Sequence, residues 1–295
     1  MTTTPEAYVH LSEDQETLTF YYDTLRAERD GTTWGITDTK YWSCPPWTAN
    51  FESPNTIVLT AIFDASFRDF RPTTTAGWFK CLQSLKSVEG IEHLNTTEVS
   101  DMSKMFLGCQ SLTALALSTF DTSKVTDMGW MFEGCGSLTS LDLTCFDTSK
   151  VTDMRGMFEG CGSLTSLDLS SFDTSKVTDM EEMFSGCESL TALDLSSFDT
   201  SEVSYMRGMF FDCKSLTALD LSSFDTSNVT DMRGMFSGCE SLTTIYCNSS
   251  WSDRLSDDMF SGCNSLRGVA TNVGNSYDVS MANPETGYFT KKVLS

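Results

Sequence analysis

The sequence is poor in histidine and proline and lacks the usual motifs of catalysis. Of its 295 residues, two are His and six are Pro. Neither His10 nor His93 stands near a repeated Cys or Ser, and no Gly-rich phosphate loop or nucleophile elbow occurs. These absences argue against the common enzyme classes. We therefore expect a protein with no catalytic residues and no cofactor.

Long apolar runs are also missing. The longest, residues 57–63, is far shorter than the roughly 18 residues that a membrane-spanning helix needs. The first residues show neither a charged-then-apolar leader nor a lipid-attachment cysteine. We expect a soluble chain that does not insert into a membrane. If it acts outside the cell, its export signal must have been removed or lie beyond the sequence given.

Basic residues are scarce relative to acidic ones. The formal net charge is −22, from 41 Asp and Glu against 19 Lys and Arg. Such a surface repels nucleic-acid phosphates and anionic lipids, so neither is an expected partner. The acids are spread along the chain rather than gathered in a tail, which favours a solvated acidic face.

What the chain has in abundance is one repeated unit. The segment that begins at Phe120 returns at Phe146, Phe172, Phe198 and Phe224. A fixed period of this length predicts a stacked-repeat architecture. One such unit cannot bury its apolar face alone, so neighbouring units must share a continuous core. We expect a single solenoid, monomeric in solution.

Two apolar periods divide each unit. The Leu-x-x-Leu-x-Leu pattern of residues 138–143 predicts a half-buried strand, and the Met-x-x-Met-Phe pattern of residues 128–132 predicts two turns of helix. Thr126 is expected to cap that helix, with Asp127 in its first turn, and Gly134 to end it with positive φ. The other copies carry Gly at this last position, except for Asp212: Gly108, Gly160, Gly186, Gly238 and Gly262. The sequence thus predicts an α/β solenoid of strand, turn and short helix.

Cysteine and methionine recur at fixed positions of the unit. The eleven cysteines cannot all pair within the chain, because their number is odd. Six share one repeat position, and Cys263 ends the series 24 residues after the last of them: Cys109, Cys135, Cys161, Cys187, Cys213 and Cys239. We interpret them as a buried column of small apolar side chains, with disulfides or a metal column as the alternatives. The Met columns, Met102 to Met232 and Met105 to Met235, are predicted to lie in the core.

The two ends of the chain depart from the repeat. Residues 1–77 predict a β-rich N-terminal cap, in which residues 17–22 pair with residues 31–34 as a hairpin. A second strand pair is predicted from residues 56–64 and the aromatic run at Phe63, Phe67 and Phe70. Its tryptophans predict an apolar plug for the first repeat, with a ligand pocket as the alternative: Trp34, Trp42, Trp47 and Trp78. Residues 78–269 form the repeat array. Residues 270–295 form a C-terminal cap or tail, whose Tyr288 and Phe289 are expected to fold back over the last repeat.

The repeat resembles that of a known family. Its consensus reads Leu-x-x-Leu-Asp-Leu-Ser-x-Phe-Asp-Thr-Ser-x-Val-Thr-Asp-Met-x-x-Met-Phe-x-Gly-Cys, and over residues 78–269 it is similar to the repeat of the BspA-like leucine-rich-repeat surface proteins. Gly-Tyr-Phe-Thr at residues 287–290 also resembles an ending typical of that family. The resemblance implies a leucine-rich-repeat solenoid on the cell surface or secreted, associated with adhesion and host-protein binding. It supplies no catalytic residue.

An acidic column is the main candidate site. It consists of Asp142, Asp168, Asp194 and Asp220, which lie between the last two leucines of successive units. Stacked carboxylates repel one another, so hydrogen bonds from Ser and Thr, raised carboxyl pKa values or weakly bound calcium must offset the repulsion. A second column is expected to bond backbone N–H groups in turns: Asp121, Asp147, Asp173, Asp199 and Asp225.

Exposed departures from the repeat are further candidates, because stacking does not dictate them. They are Trp130, Glu181, Glu182, Tyr205, Phe211 and Tyr246. We expect a non-catalytic module that binds an extracellular protein or glycan through the strand face and flanking loops. The alternative is a structural spacer that displays another domain.

Overall fold

The computed structural model describes residues 4–36, 45–252, 255–269 and 277–292. Trp42 and parts of the expected C-terminal cap, residues 270–276 and 293–295, lie outside these ranges. Helical structure in the described residues is limited to short 3-10 segments: Arg26–Glu28, Ala65–Asp69, Ile91–His93 and Val279–Met281. Within the same ranges, no helix has the length and apolar content that a membrane crossing requires.

The N-terminal region forms a mixed five-stranded sheet. Its strands are β1 (Glu6–Leu11), β2 (Thr17–Asp23), β3 (Thr32–Gly35), β4 (Thr60–Phe63) and β5 (Ser87–Glu89), in the order β3-β1-β2-β4-β5. β1 pairs antiparallel with β2 and β3, whereas β2–β4 and β4–β5 are parallel. The strands of the predicted hairpin exist, but the hairpin is wrong, because β1 lies between β2 and β3. Instead, a tight turn joins β1 to β2, and in it the Ser12 carbonyl accepts a hydrogen bond from the Gln15 N–H. The second predicted pair is confirmed only in β4, because the aromatic run after it forms the 3-10 segment Ala65–Asp69.

Aromatic side chains fill the space between this sheet and the first repeat. The Phe20 ring stacks on Phe63 at 4.5 Å and on Trp78 at 5.5 Å. The buried Trp47 donates its indole N–H to the Trp78 carbonyl at 2.8 Å. Trp34 is half-buried at the edge of the sheet. The predicted apolar plug is confirmed for Trp47 and Trp78.

The repeats stack in parallel and in register. Parallel bridges link equivalent residues of successive units: Thr74, Asp101, Asp127, Asp153, Asp179, Tyr205, Asp231 and Leu255. Inside, one Phe ring per unit stacks on the next with centroids 5.2 to 5.9 Å apart and planes within 10°. This ring stack contains Phe79, Phe106, Phe132, Phe158, Phe184, Phe210, Phe236 and Phe260. A single buried cluster extends from Val9 to Phe289.

The predicted helix in each unit is wrong. The Met-x-x-Met-Phe segment forms consecutive tight turns, in which the Met131 N–H donates to the Met128 carbonyl at 3.2 Å. Alternate N–H groups leave the unit: Met128 donates to the Asp153 carbonyl and Phe132 to the Met157 carbonyl, both at 3.0 Å. In an α-helix, the N–H groups after the first turn would bond carbonyls four residues earlier in the same unit. Here half of them bond the next repeat, so stacking replaces the helix.

Two residues per turn segment have positive φ. The predicted glycine column is confirmed, with Gly134 at +70° and Asp212 at +53°. Sequence reasoning missed the other position, which Trp130 occupies at +56°. The expected Thr126 cap is also wrong, since its hydroxyl donates to the Ser100 carbonyl at 3.2 Å. Asp127 bonds the turn instead, by accepting the Gly129 N–H at 2.9 Å.

The leucine segments alternate as predicted. Leu138 and Leu143 are buried and Asp142 is exposed. Within the described repeats, the leucine segment forms a strand at both ends of the array: β5 in the first copy, and β6 (Ala218–Asp220) and β7 (Thr244–Tyr246) near the C-terminal end. β8 (Phe289–Thr290) extends this sheet in the parallel order β6-β7-β8. The strand prediction is therefore confirmed in these three leucine segments, while the copies between them keep only the burial pattern.

The Cys and Met columns lie in the core, as predicted. Met102 to Met235 are fully buried, and the repeated Cys side chains are buried except for Cys263, which is partly exposed. Each Cys thiol donates to a Phe carbonyl of the preceding unit, as Cys161 does to Phe132 at 3.2 Å. Burial raises the pKa of the thiols, to about 12 for Cys187. The column therefore consists of protonated thiols at neutral pH.

The C-terminal segment covers the last repeat. Tyr288 packs against Phe260 at 5.3 Å, and Phe289 meets Trp251 edge-on at 4.9 Å. Both aromatic side chains are buried, which confirms that this pair folds back.

Candidate partner-binding site

The acidic column follows the outer surface of the leucine segments. Each of its carboxylates accepts the backbone N–H of the residue two positions later, at 2.9 to 3.1 Å. At Asp142 the Thr144 hydroxyl adds a second bond at 2.7 Å. Hydrogen bonds from Thr144 and Ser170 lower the pKa of Asp142 and Asp168 respectively. The expected hydrogen bonds that offset the repulsion between carboxylates are present, from hydroxyl and backbone N–H groups. The prediction of raised pKa values in this column is wrong.

A groove of about 380 Å³ opens beside the last two members of the acidic column. Its walls are formed by Ala192, Leu193, Asp194, Ala218, Leu219, Asp220, Tyr246 and Lys292. Leu193 and Leu219 form a buried floor, whereas Tyr246 is 37% exposed. The groove thus combines an apolar floor, an aromatic edge and two carboxylates, a mixture that suits a protein side chain or segment.

Lys292 is a member of the groove that sequence reasoning missed. Its ammonium group forms an ion pair with Asp220, and its backbone N–H donates to the Asn248 side-chain oxygen at 2.9 Å. Pairing of β8 with β7 carries the chain to this point. Burial alone would raise the pKa of Asp220, but hydrogen bonds from Lys292 and Ser222 outweigh it and lower that pKa. No repeat pattern signals Lys292, since it lies outside the array.

Trp130, Tyr205 and Phe211 lie in the turn segments rather than at the groove. Trp130 is held between two cations, with the Lys104 ammonium 4.6 Å and the Arg155 guanidinium 4.9 Å from its ring. Tyr205 and Phe211 are 48% and 42% exposed. The structure therefore splits the candidates into two sets, and brings Asp194, Asp220 and Tyr246 together in the groove.

Carboxylates crowd the turn segments near Trp130. Burial and the charge of Asp153 raise the pKa of Asp127 to about 6. Burial and the charges of Glu133, Glu182 and Glu181 raise the pKa of Glu159 to about 7. Glu181 and Glu182 are partly neutralised by Arg207, whose guanidinium lies 2.9 Å from Glu181 and 3.8 Å from Glu182. Asp127 and Glu159 therefore titrate nearer to neutral pH than ordinary carboxyls do.

The second Asp column has the structural role predicted for it. Asp147 accepts the Ser149 N–H at 3.0 Å, and its equivalents do the same. A threonine ladder beside it was missed. The buried Thr148 hydroxyl donates to the Asp173 carbonyl at 2.9 Å and accepts the Asp173 N–H at 2.8 Å. Thr96, Thr122, Thr174 and Thr200 are buried at the same position.

No group of three or more His, Cys, Asp or Glu side chains in the described ranges is arranged to hold a metal ion. The calcium site considered for the acidic column therefore finds no support in its geometry.

Comparisons with known proteins give one family match. A profile of the family described as "Mycoplasma protein of unknown function, DUF285" matches residues 73–190 and, in an overlapping second match, residues 163–276. No curated protein matches the chain. A leucine-rich repeat protein from Eubacterium ventriosum, known from its crystal structure, is 13% identical with a TM-score of 0.37, over 99% of this chain and 95% of that chain. A TM-score this low carries no argument, so the fold rests on the contacts described above.

Proposed function

Because this chain belongs to the DUF285 family, whose description states no function, we propose from its own architecture that it is a leucine-rich-repeat solenoid of the BspA-like type that binds another protein. The stack of equivalent repeats with a closed apolar interior supports the solenoid assignment. All positions of the ring stack and of the Met columns are committed to the core. Only the outer surface is free to meet a partner.

The groove is the observation that carries the binding role. Its apolar floor and its exposed Tyr246 lie beside the carboxylates of Asp194 and Asp220. Aromatic anchors beside polar groups are typical of the residues that dominate protein interfaces. By its resemblance to surface proteins, the molecule acts at the cell surface or after secretion, as a non-catalytic adhesion module for a host or matrix protein, or for a glycan.

A binding panel tests this proposal. The purified chain is applied to immobilised matrix proteins and glycans, beside a strand-face variant carrying Asp194→Asn and Tyr246→Asp and a turn-segment variant carrying Tyr205→Ala and Phe211→Ala. We expect the strand-face variant to lose at least about tenfold in affinity, since truncating a central anchor commonly costs 2 kcal/mol or more.

Three results would count against this assignment. Loss of binding in the turn-segment variant alone would move the binding surface to the turns. Equal binding by all three chains would reject both surfaces. Failure of the chain to bind any member of the panel would favour a structural spacer.

A further inference from the structure

Lys292 forms an ion pair with the acidic column of its own chain. It reaches Asp220 from 72 residues away along the sequence. Its pKa is raised by the hydrogen bond to Asp220, by the charge of Asp220 and, from the next unit, by the charge of Asp194. The contact shows how a primary ammonium group pairs with this column, at a groove that Leu219 and Tyr246 also line.

The other three carboxylates of the acidic column have no such lysine beside them in the described residues. In the part of the chain that the structure describes, neither Lys nor Arg forms an ion pair with Asp142, Asp168 or Asp194. Hydrogen bonds lower the pKa of all three, so each is ionised at neutral pH. The acidic column thus has three carboxylates without a paired lysine or arginine, beside Asp220, which Lys292 neutralises.

The spacing of this line suits an extended chain. Equivalent groups of successive units are 5.2 to 5.9 Å apart at the ring stack. Side chains on one face of an extended strand recur about every 6.7 Å, twice the rise per residue. The mismatch of about 1 Å per step accumulates to about 3 Å over the three steps from Asp142 to Asp220, and the flexible four-carbon stems of the lysines at the two ends can absorb it by leaning toward the centre.

We infer that the partner presents an extended segment with basic side chains at alternate positions, laid along the acidic column, and that Lys292 occupies the last place of the column in the unbound protein. This inference rests on the proposed function and adds the chemistry of the partner. Lys292 then competes with the partner for Asp220, so its removal opens a fourth place.

Two synthetic heptapeptides of identical composition test the inference, with binding followed by fluorescence anisotropy. One alternates as Lys-Ala-Lys-Ala-Lys-Ala-Lys, and the other places its four lysines in a block. The alternating peptide should bind more tightly. Asp168→Asn and Asp194→Asn should each weaken its binding by about two- to fivefold, the range of single exposed ion pairs, and Lys292→Ala should strengthen it by a similar factor.

Matched controls separate position from total charge. Asp147→Asn and Asp173→Asn remove the same charge from the second Asp column. Lys291→Ala removes a neighbouring lysine that pairs with Glu285. These three variants should bind the alternating peptide as the unaltered chain does.

Equal affinity for the two peptides would overturn the inference, as would equal effects of Lys292→Ala and Lys291→Ala. If the alternating peptide does not bind but the strand-face variant still loses a panel ligand, the basic segment is rejected and the proposed function stands. Unchanged binding of every ligand by the strand-face variant would reject the proposed function itself.

Discussion

The pKa values of individual carboxyl groups in this molecule shift in opposite directions, depending on where each group lies. Asp142 and Asp168 are fully solvated and hydrogen-bonded, so their pKa values fall. Glu159 is half-buried among other glutamates, and its pKa rises to about 7. The exposed column therefore remains charged over a wide pH range, whereas the turn acids take up protons near neutrality.

Glu159 should make the folded state less stable as the pH rises. Its pKa is higher in the folded chain than in the unfolded one, so its contribution to stability is complete below about pH 4.5 and is lost by about pH 7. We expect Glu159→Gln to raise the free energy of unfolding by about 1 to 2 kcal/mol at pH 8, after allowance for solvent screening, and to leave it unchanged at pH 4.

Urea unfolding at the two pH values measures this difference. Glu240→Gln, which removes an exposed charge, is the control. An equal gain for Glu159→Gln at both pH values would show that the effect does not come from titration.

Individual hydroxyl groups of the threonine ladder stabilise the fold by bonding backbone groups of the next unit. Thr148→Val keeps the shape of the buried side chain but leaves the N–H and carbonyl of Asp173 without these partners. Each buried unpaired group costs about 1 to 3 kcal/mol, so a loss of about 2 to 4 kcal/mol is expected in urea unfolding. Ser149→Ala, on the neighbouring partly exposed residue, should cost less than about 0.5 kcal/mol. Comparable losses for the two variants would contradict a specific role for the ladder.

At the scale of the structural element, the turn segment replaces a helix. Its backbone alternates between bonds within the unit and bonds to the next unit, and two residues per segment take positive φ. Gly160 has φ of +68°, and a Cβ there would lie 3.4 Å from the Gly134 Cα. The left-handed conformation favours glycine here, whereas the added Cβ itself would make an ordinary van der Waals contact.

Gly160→Ala should therefore destabilise the stack. The left-handed conformation costs a residue with a Cβ about 1 to 2 kcal/mol. Gly162→Ala is the matched control, because the nearest atom to its added Cβ, the Gly186 oxygen, is 3.8 Å away and its φ is not in the left-handed region. Thermal unfolding of the two variants makes the comparison. A larger loss for Gly162→Ala would show that local sterics at Gly160 are not limiting.

The sequence predicts the core of these elements better than their backbone. The repeat period and the apolar positions suffice to place Met128, Phe132 and Leu138 inside, because burial follows side-chain chemistry. The turn segment was predicted as a helix because i, i+3, i+4 spacing is common to helices and to successive tight turns. The carbonyl to which each N–H group donates depends on the neighbouring unit, so it cannot be predicted from one copy of the repeat.

The candidate site was predictable only in part. The acidic column and Tyr246 follow from comparing copies within the chain. Lys292 does not, since its contact with Asp220 depends on how the segment after the array folds back. Likewise, the pairing of β1 between β2 and β3 depends on contacts between strands rather than on the pattern of any single strand.

At the scale of the whole molecule, the excess of negative charge opposes compaction. The chain carries 41 acidic and 19 basic side chains, and its acids recur in columns along the stack. Ion pairs such as Arg155–Asp153 and Arg207–Glu181 relieve only part of this repulsion. Self-repulsion of this kind is weakened by salt.

The melting temperature at pH 7.5 should therefore rise by several degrees when sodium chloride increases from about 0.02 M to about 0.5 M, because the Debye length falls below the separation of most exposed charges. Differential scanning calorimetry gives the measurement, with an uncharged osmolyte at matched osmolality as the control. A lower melting temperature in high salt would mean that ion pairs outweigh the repulsion.

Every junction in the ring stack joins the same two surfaces, from Phe106 on Phe132 to Phe210 on Phe236. Deleting or duplicating one whole unit would bring together faces that already fit, with both caps untouched. The number of copies is thus free to change in whole steps, and each step lengthens or shortens the row of surface carboxylates by one. The length of surface available to a long ligand can therefore be changed by adding or removing whole units, and no new contact between units is needed.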